Sequence, residues 1–196
     1  MLYTTFGEPG NVFLAGGERG VQETGPSFIY EEAMPFTIAS SSTLSSVDVA
    51  VEDIGPGTDS YDVYLVSDNS DSPGSSVFES WAFVAPPVAS PAITNLASIG
   101  SVELLAGTQY WLIVAPGASN TNGGWNLGGD GSVYSTSAYT VDGGTSWTVG
   151  STSEMAFDVQ GSSSTSPEPS TFALLLLPLA WLAVRRVRRS AEGKRY

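Results

Sequence analysis

A chain of 196 residues has room for one ordinary domain and little more. Residues 1–166 carry 18 acidic groups against one basic group, Arg19, a net near −17 that repels phosphate backbones and argues against nucleic-acid binding. The absence of cysteine excludes disulfides and thiolate metal sites. The absence of histidine removes the usual general base, nucleophile activator and metal ligand.

Apolar residues make up 41% and aromatics 11%, enough for a core rather than a disordered chain. Residues 1–34 show little period, and only Val12–Leu14 and Phe28–Tyr30 offer short edge strands. Pro35–Ala39 reads as the next strand. In STLSSVDVAVED (42–53), Val47, Val49 and Val51 alternate with Ser46, Asp48, Ala50 and Glu52, the pattern of a strand with one wet face. SYDVYLVSD repeats it with Tyr61, Val63 and Leu65 inward. Val77–Val84 and Ser101–Leu105 follow. QYWLIVAPG (109–117) is a continuous apolar run that predicts a central strand covered on both faces. Trp125–Leu127 comes next. Val133–Thr140 and Thr145–Val149 read as a hairpin turning at Asp142–Thr145, and SEMAFDVQG places Met155, Phe157 and Val159 inward, with Glu154, Ala156 and Asp158 outward. Turn signals separate these runs at Gly55-Pro56-Gly57, Asp68-Asn69, Pro73-Gly74, Asn122-Gly123-Gly124 and Gly128–Gly131. With no helical period before residue 170, the expectation is an all-β antiparallel sandwich over residues 2–160, followed by a Ser/Thr tether at 161–166.

The tail differs. Phe172–Val184 is uncharged and interrupted by Pro178, and Arg185, Arg186, Arg188 and Arg189 follow it. A 13-residue helix would reach roughly 20 Å, short of the ~30 Å hydrocarbon core, so a short hydrophobic helix crossing only a thinned or tilted span is expected. The arginines should stay cytoplasmic as a stop-transfer cluster, with residues 1–171 outside.

Pro167-Glu168-Pro169, then an apolar stretch, then terminal arginines, resembles a PEP-CTERM sorting signal. The resemblance implies an exported protein of an exopolysaccharide-forming Gram-negative bacterium, a transient membrane anchor, and recognition of Pro167, Glu168 and Pro169 by a membrane-embedded exosortase that removes the tail at 167–189. The body resembles the choice-of-anchor domains, most closely the R type, through LYTTFG, PFTIASSSTLSSVDVAV, YDVYLVSDNSDSPGS, SVELLAGTQYWLIVAPG and MAFDVQG. That resemblance implies a jelly-roll-like β domain without catalysis or cofactor. An exported chain carries a basic, then apolar leader, and MLYTTFGEPGNVFLAGGERG has neither; because LYTTFG already resembles a domain start, the leader is expected upstream of Met1 or already removed.

Three sharper chemistries remain. Glycoside hydrolysis needs two suitably spaced carboxylates, but the body's acids sit mostly at wet strand positions and turns. Asp68, Asn69 and Asp71, and Asp59 with Asp62, offer hard oxygens to calcium, yet lack EF-hand spacing and are ordinary turn formers. Among Trp81, Tyr110, Trp111, Trp125, Tyr134, Tyr139 and Trp147, Trp111 reads as core. Trp125 and Trp147 border glycine loops and are the candidate glycan contacts. The expected function is therefore an exported, noncatalytic surface or matrix protein. A carbohydrate-binding module acting on exopolysaccharide is the alternative, and a carboxylate glycoside hydrolase the third reading.

Overall fold

The computed structural model describes residues 1–8, 10, 12–25, 27–55, 60–84 and 91–163. Among them there is no helix. Thirteen strands follow in chain order: β1 (Tyr3–Thr4), β2 (Phe13–Glu23), β3 (Ile29–Thr37), β4 (Ser42–Asp53), β5 (Ser60–Asp68), β6 (Pro73–Val84), β7 (Ala92–Ala97), β8 (Glu103–Leu104), β9 (Gln109–Pro116), β10 (Asn122–Gly128), β11 (Tyr134–Thr140), β12 (Thr148–Ser153) and β13 (Phe157–Ser163). All strand pairs are antiparallel, and the main path runs β1-β13-β4-β10-β2-β3-β9-β5-β6.

β9 is central and buried on both faces, as its apolar run predicts, because β3 and β5 flank it. One face sends Tyr110, Leu112 and Val114 into the principal core. The other sends Trp111 and Ile113 into a second cluster with Ala33, Val66 and Ala138, onto which Tyr64 and Trp147 pack. The principal core also takes Val47, Val49 and Val51 from β4, Phe157 and Val159 from β13, and Tyr61, Val63 and Leu65 from β5. Phe36 of β3 meets Phe157 of β13 edge-on at 6.0 Å, although those strands are not hydrogen-bonded neighbours. The two halves of the sheet path therefore share one apolar interior, where each buried large side chain contributes about 1.5–3 kcal/mol.

Several expectations are corrected. From Ser46 to Asp53 β4 has no wet face: Asp48, Ala50 and Glu52 are buried, as are Ala156 and Asp158 near and in β13. Phe6, stacked edge-on against Phe13, covers Ala50 and Ala156, while Asn95 and Gln160 donate to Asp48. Residues 13–23 and 29–37 form long strands inside the sheet rather than short edges, and Ala92–Ala97 forms a strand the sequence reading missed. Asn122-Gly123-Gly124 lies within β10 rather than in a turn, and Pro73-Gly74 opens β6. β13 continues through Gly161↔Leu44 to Ser163↔Ser42, so the supposed tether at 161–163 is paired strand. The β11–β12 hairpin turns where expected. Its Asp142 carboxylate accepts the Ser146 N–H at 2.9 Å and the Ser146 hydroxyl at 2.6 Å, and Gly143 and Gly144 take positive φ.

The chain divides into Met1–Ser163 and Ser164–Tyr196. The sorting motif Pro167–Pro169, the apolar segment from Phe172 through Pro178 to Val184, and the arginine cluster Arg185–Arg189 all lie outside the described residues. Among the described residues no helix is long and apolar enough to cross a membrane.

Candidate functional site

The alternation of β3 extends past its core residues. Phe36 and Met34 point inward, so Glu32 and Tyr30 continue the same face. There β3 changes neighbours: Tyr30 pairs with Gln22 of β2, whereas Glu32 pairs with Tyr139 of β11. A hollow of about 150 Å³ opens at this branch, lined by Arg19, Tyr30, Glu32, Ser137, Tyr139 and Gly150–Thr152. Tyr30 stacks on Tyr139 at 5.7 Å and 20°, and Phe28 stacks on Tyr30 at 6.3 Å and 21°. Three rings thus form a row whose outer members, Phe28 and Tyr139, are each 40% exposed.

Polar groups edge this row. The Tyr30 hydroxyl donates to Glu32 Oε1 at 2.9 Å, and the Arg19 guanidinium donates to the Thr152 hydroxyl. Burial pushes Glu32 up to about 7, against the opposing pull of the Tyr30 hydroxyl and Arg19. Burial and the Glu32 carboxylate raise the Tyr30 phenol well above its usual range. An aromatic face flanked by a guanidinium, a carboxyl and hydroxyls is suited to gripping a polyol. The hollow holds one carboxyl, whereas glycoside hydrolysis generally needs two flanking the bond.

The sequence singled out neither Arg19 nor Glu32 here. The available signal was the period-2 run Phe28, Tyr30, Glu32 and the body's single cation. The partners Tyr139 and Thr152 lie more than a hundred residues away.

A second hollow, about 540 Å³, lies between the β5–β6 turn and the β11–β12 turn. It brings together two sequence candidates, Asp68 and Trp147, with Ser67, Asn69, Ser72 and Ser146. Trp147 is half-buried against the second cluster. Asp68 is committed to the fold: its Oδ1 accepts Gln109 Nε2 and Trp111 Nε1, both at 2.8 Å, and its Oδ2 accepts the Asp71 N–H at 3.4 Å. Burial raises the Asp68 carboxyl, but the bonds from Trp111 and Gln109 outweigh it and hold the group below its usual value. Ser70 and Asp71 adopt positive φ, and the Asp71 carboxylate receives only a 3.4 Å contact from Gln109. These features mark a tight turn, the role the sequence favours for Asp68 and Asp71. Among the described residues no cluster of three or more His, Cys, Asp or Glu side chains could hold a metal ion.

Trp125 is corrected outright. It is 0% exposed, packs on Phe157 and donates Nε1–H to the Ala156 carbonyl at 2.9 Å, so it cannot meet a glycan.

No protein-family model and no curated protein sequence matches this chain.

The buried acids make stability depend on pH. Burial, then Asp142 and Asp62, raise Glu31 to about 7. Glu32 also lies at about 7. Burial and Asp48, paired opposite, raise Asp158 to about 6. Unfolded, these groups release protons near 4. Between about pH 4.5 and 7 the folded state therefore holds more protons than the unfolded state, and stability falls as pH rises through that window. With solvent screening discounted, the melting temperature at pH 5 should exceed that at pH 8 by about 5 °C. Below pH 4 the trend should reverse as protons compete for Asp142, which hydrogen bonds from Ser146 and Thr140 hold at about 2. Calorimetry across pH 3–9 checks both limbs, and a melt that rises from pH 5 to pH 8 contradicts the first.

Proposed function

We propose that this chain is an exported, noncatalytic cell-surface or extracellular-matrix protein, a jelly-roll-like β-sandwich whose C-terminal tail directs processing by a membrane-embedded exosortase. The observation that carries this reading is the boundary between the two units: paired strand β13 ends at Ser163, and the Pro-Glu-Pro motif begins at Pro167. Recognition at that motif requires a protease to reach chain beyond Ser163, the last described residue paired in β13. The sandwich assignment is supported by the single core drawn from β4, β10 and β13 on one side and β3, β5 and β9 on the other. Expressed in a host with exosortase, the mature protein should end near residues 166–171, and Glu168→Ala or Pro169→Ala should leave uncleaved chain in the membrane. Mass spectrometry decides this; an intact C-terminal Tyr196 on most molecules defeats the proposal.

The Phe28–Tyr30–Tyr139 row favours the second reading, a module that contacts exopolysaccharide. Tyr139 is exposed enough to be removed without unfolding the domain. If the row is a sugar platform, Tyr139→Ala should weaken retention in gels containing the host's exopolysaccharide by about 3- to 10-fold, the worth of one aromatic contact. Equal retention of both forms would leave the row as packing alone.

A further inference from the structure

On the face of β10 opposite Trp125, three strands bring unlike polar groups together without satisfying them. Asn126 lies opposite Glu18 of β2, and Gly124 lies opposite Glu52 of β4. Gly124 makes their meeting possible. A Cβ there would stand 2.5 Å from Glu18 Cγ, so the missing side chain is the space through which Glu18 crosses β10 to reach Glu52. The Glu18 and Glu52 carboxyls come close enough to share a proton, and the Asn126 amide approaches Glu52 without reaching hydrogen-bond geometry. Asn126 is 0% exposed, yet its Nδ2 and Oδ1 both lack a hydrogen-bond partner. Glu18 Oε2 is buried without one as well.

Two carboxyls in contact inside a structure of net negative charge repel unless something positive sits between them. Among the described residues no basic side chain faces this cluster: Arg19, their single basic side chain, donates to Thr152 at the hollow described above. The unsatisfied atoms include a carboxylate oxygen and an amide oxygen, the hard donors that calcium prefers.

We propose that Glu18, Glu52 and the Asn126 side-chain oxygen form a binding site for a divalent cation, calcium by its donor set, that pins β2, β10 and β4 together. Two carboxylates supply up to four oxygens and Asn126 one more, so water completes the shell. The site lies apart from the aromatic row and does not depend on glycan binding.

The test uses the full chain stripped with EDTA at pH 8, above the ordinary carboxylate range. Calorimetric titration with calcium chloride should give a saturable site with Kd of about 0.1–1 mM, the range of extracellular modules. Ten millimolar calcium should raise the melting temperature by about 5 °C. Glu52→Gln should weaken binding at least tenfold. Asn126→Asp supplies the sharper test, because it adds a carboxylate: if a cation binds, the variant should melt lower than the parent in EDTA but bind calcium more tightly. The body's net charge attracts calcium diffusely, so an equal calcium response in the parent and in Glu52→Gln overturns the proposal. A flat titration of the parent overturns it too, as does an Asn126→Asp chain that calcium fails to rescue.

Discussion

Trp125→Ala should lower the melting temperature by about 10–15 °C, because removing a fully buried large aromatic costs about 3–5 kcal/mol and each kcal/mol is worth about 2–4 °C in a domain of this size. The indole is closed in by the principal core, with the Phe157 ring centroid 5.8 Å away. No neighbour can swing in from solvent to fill the space. Trp125→Phe separates packing from hydrogen bonding. It keeps an aromatic ring but loses the Nε1–H donated to Ala156. That carbonyl still receives the Ala50 N–H at 3.1 Å, so this variant should lose only about 1–2 kcal/mol. Differential scanning calorimetry measures both. A Trp125→Ala chain that melts with the parent would mean that the ring faces water, restoring it as a glycan contact. Trp147 offers a contrast within the same molecule: it lies half-buried beside the polar hollow, so its truncation should cost much less stability.

The parts of this fold that were legible in the sequence are those set by local pattern. The Val47–Val51 alternation, the continuous run of β9 and the Asp142 turn each carry their signal within a dozen residues, and each stands where that signal places it. What failed was set by distant partners. FLAGGERGVQE has three glycines and no alternation, yet it is a strand because β10 and β3 hold it on either side. The outer faces of β4 and β13 look wet from their Asp and Glu content, but Phe6, 44 or more residues away, roofs Ala50 and Ala156. The aromatic row was illegible for the same reason, since Tyr30 and Tyr139 become neighbours only through the β3–β11 pairing. Trp125 was misplaced because its flanking glycines read as a loop. They are strand residues whose missing side chains make room for other groups.

Gly123 shows what such a glycine does, and Gly123→Ala should destabilise the domain by about 3 kcal/mol or more, the upper range for overpacking. A Cβ at this position would lie 1.6 Å from the Tyr61 hydroxyl, 2.7 Å from that ring's Cζ and 2.7 Å from the Glu52 carbonyl oxygen. Tyr61 cannot step aside cheaply. Its ring is 0% exposed, stacks on Phe83 at 5.6 Å, and its hydroxyl donates to the Glu52 carbonyl at 2.6 Å. The carbonyl is also fixed, because it belongs to the β4 backbone that pairs with β10. The clash has two parts, and a double-mutant cycle resolves them. Tyr61→Phe alone should cost about 1 kcal/mol for the lost hydrogen bond. Combined with Gly123→Ala it removes the 1.6 Å contact but leaves those to the ring carbon and the backbone oxygen. The double variant should therefore be more stable than the sum of the single losses, yet still less stable than Tyr61→Phe. Urea melts of the four proteins give the coupling directly. If the two losses simply add, the Tyr61 hydroxyl is not what excludes a side chain at position 123, and the reason for glycine inside β10 has to lie with the Tyr61 ring carbon and the Glu52 carbonyl.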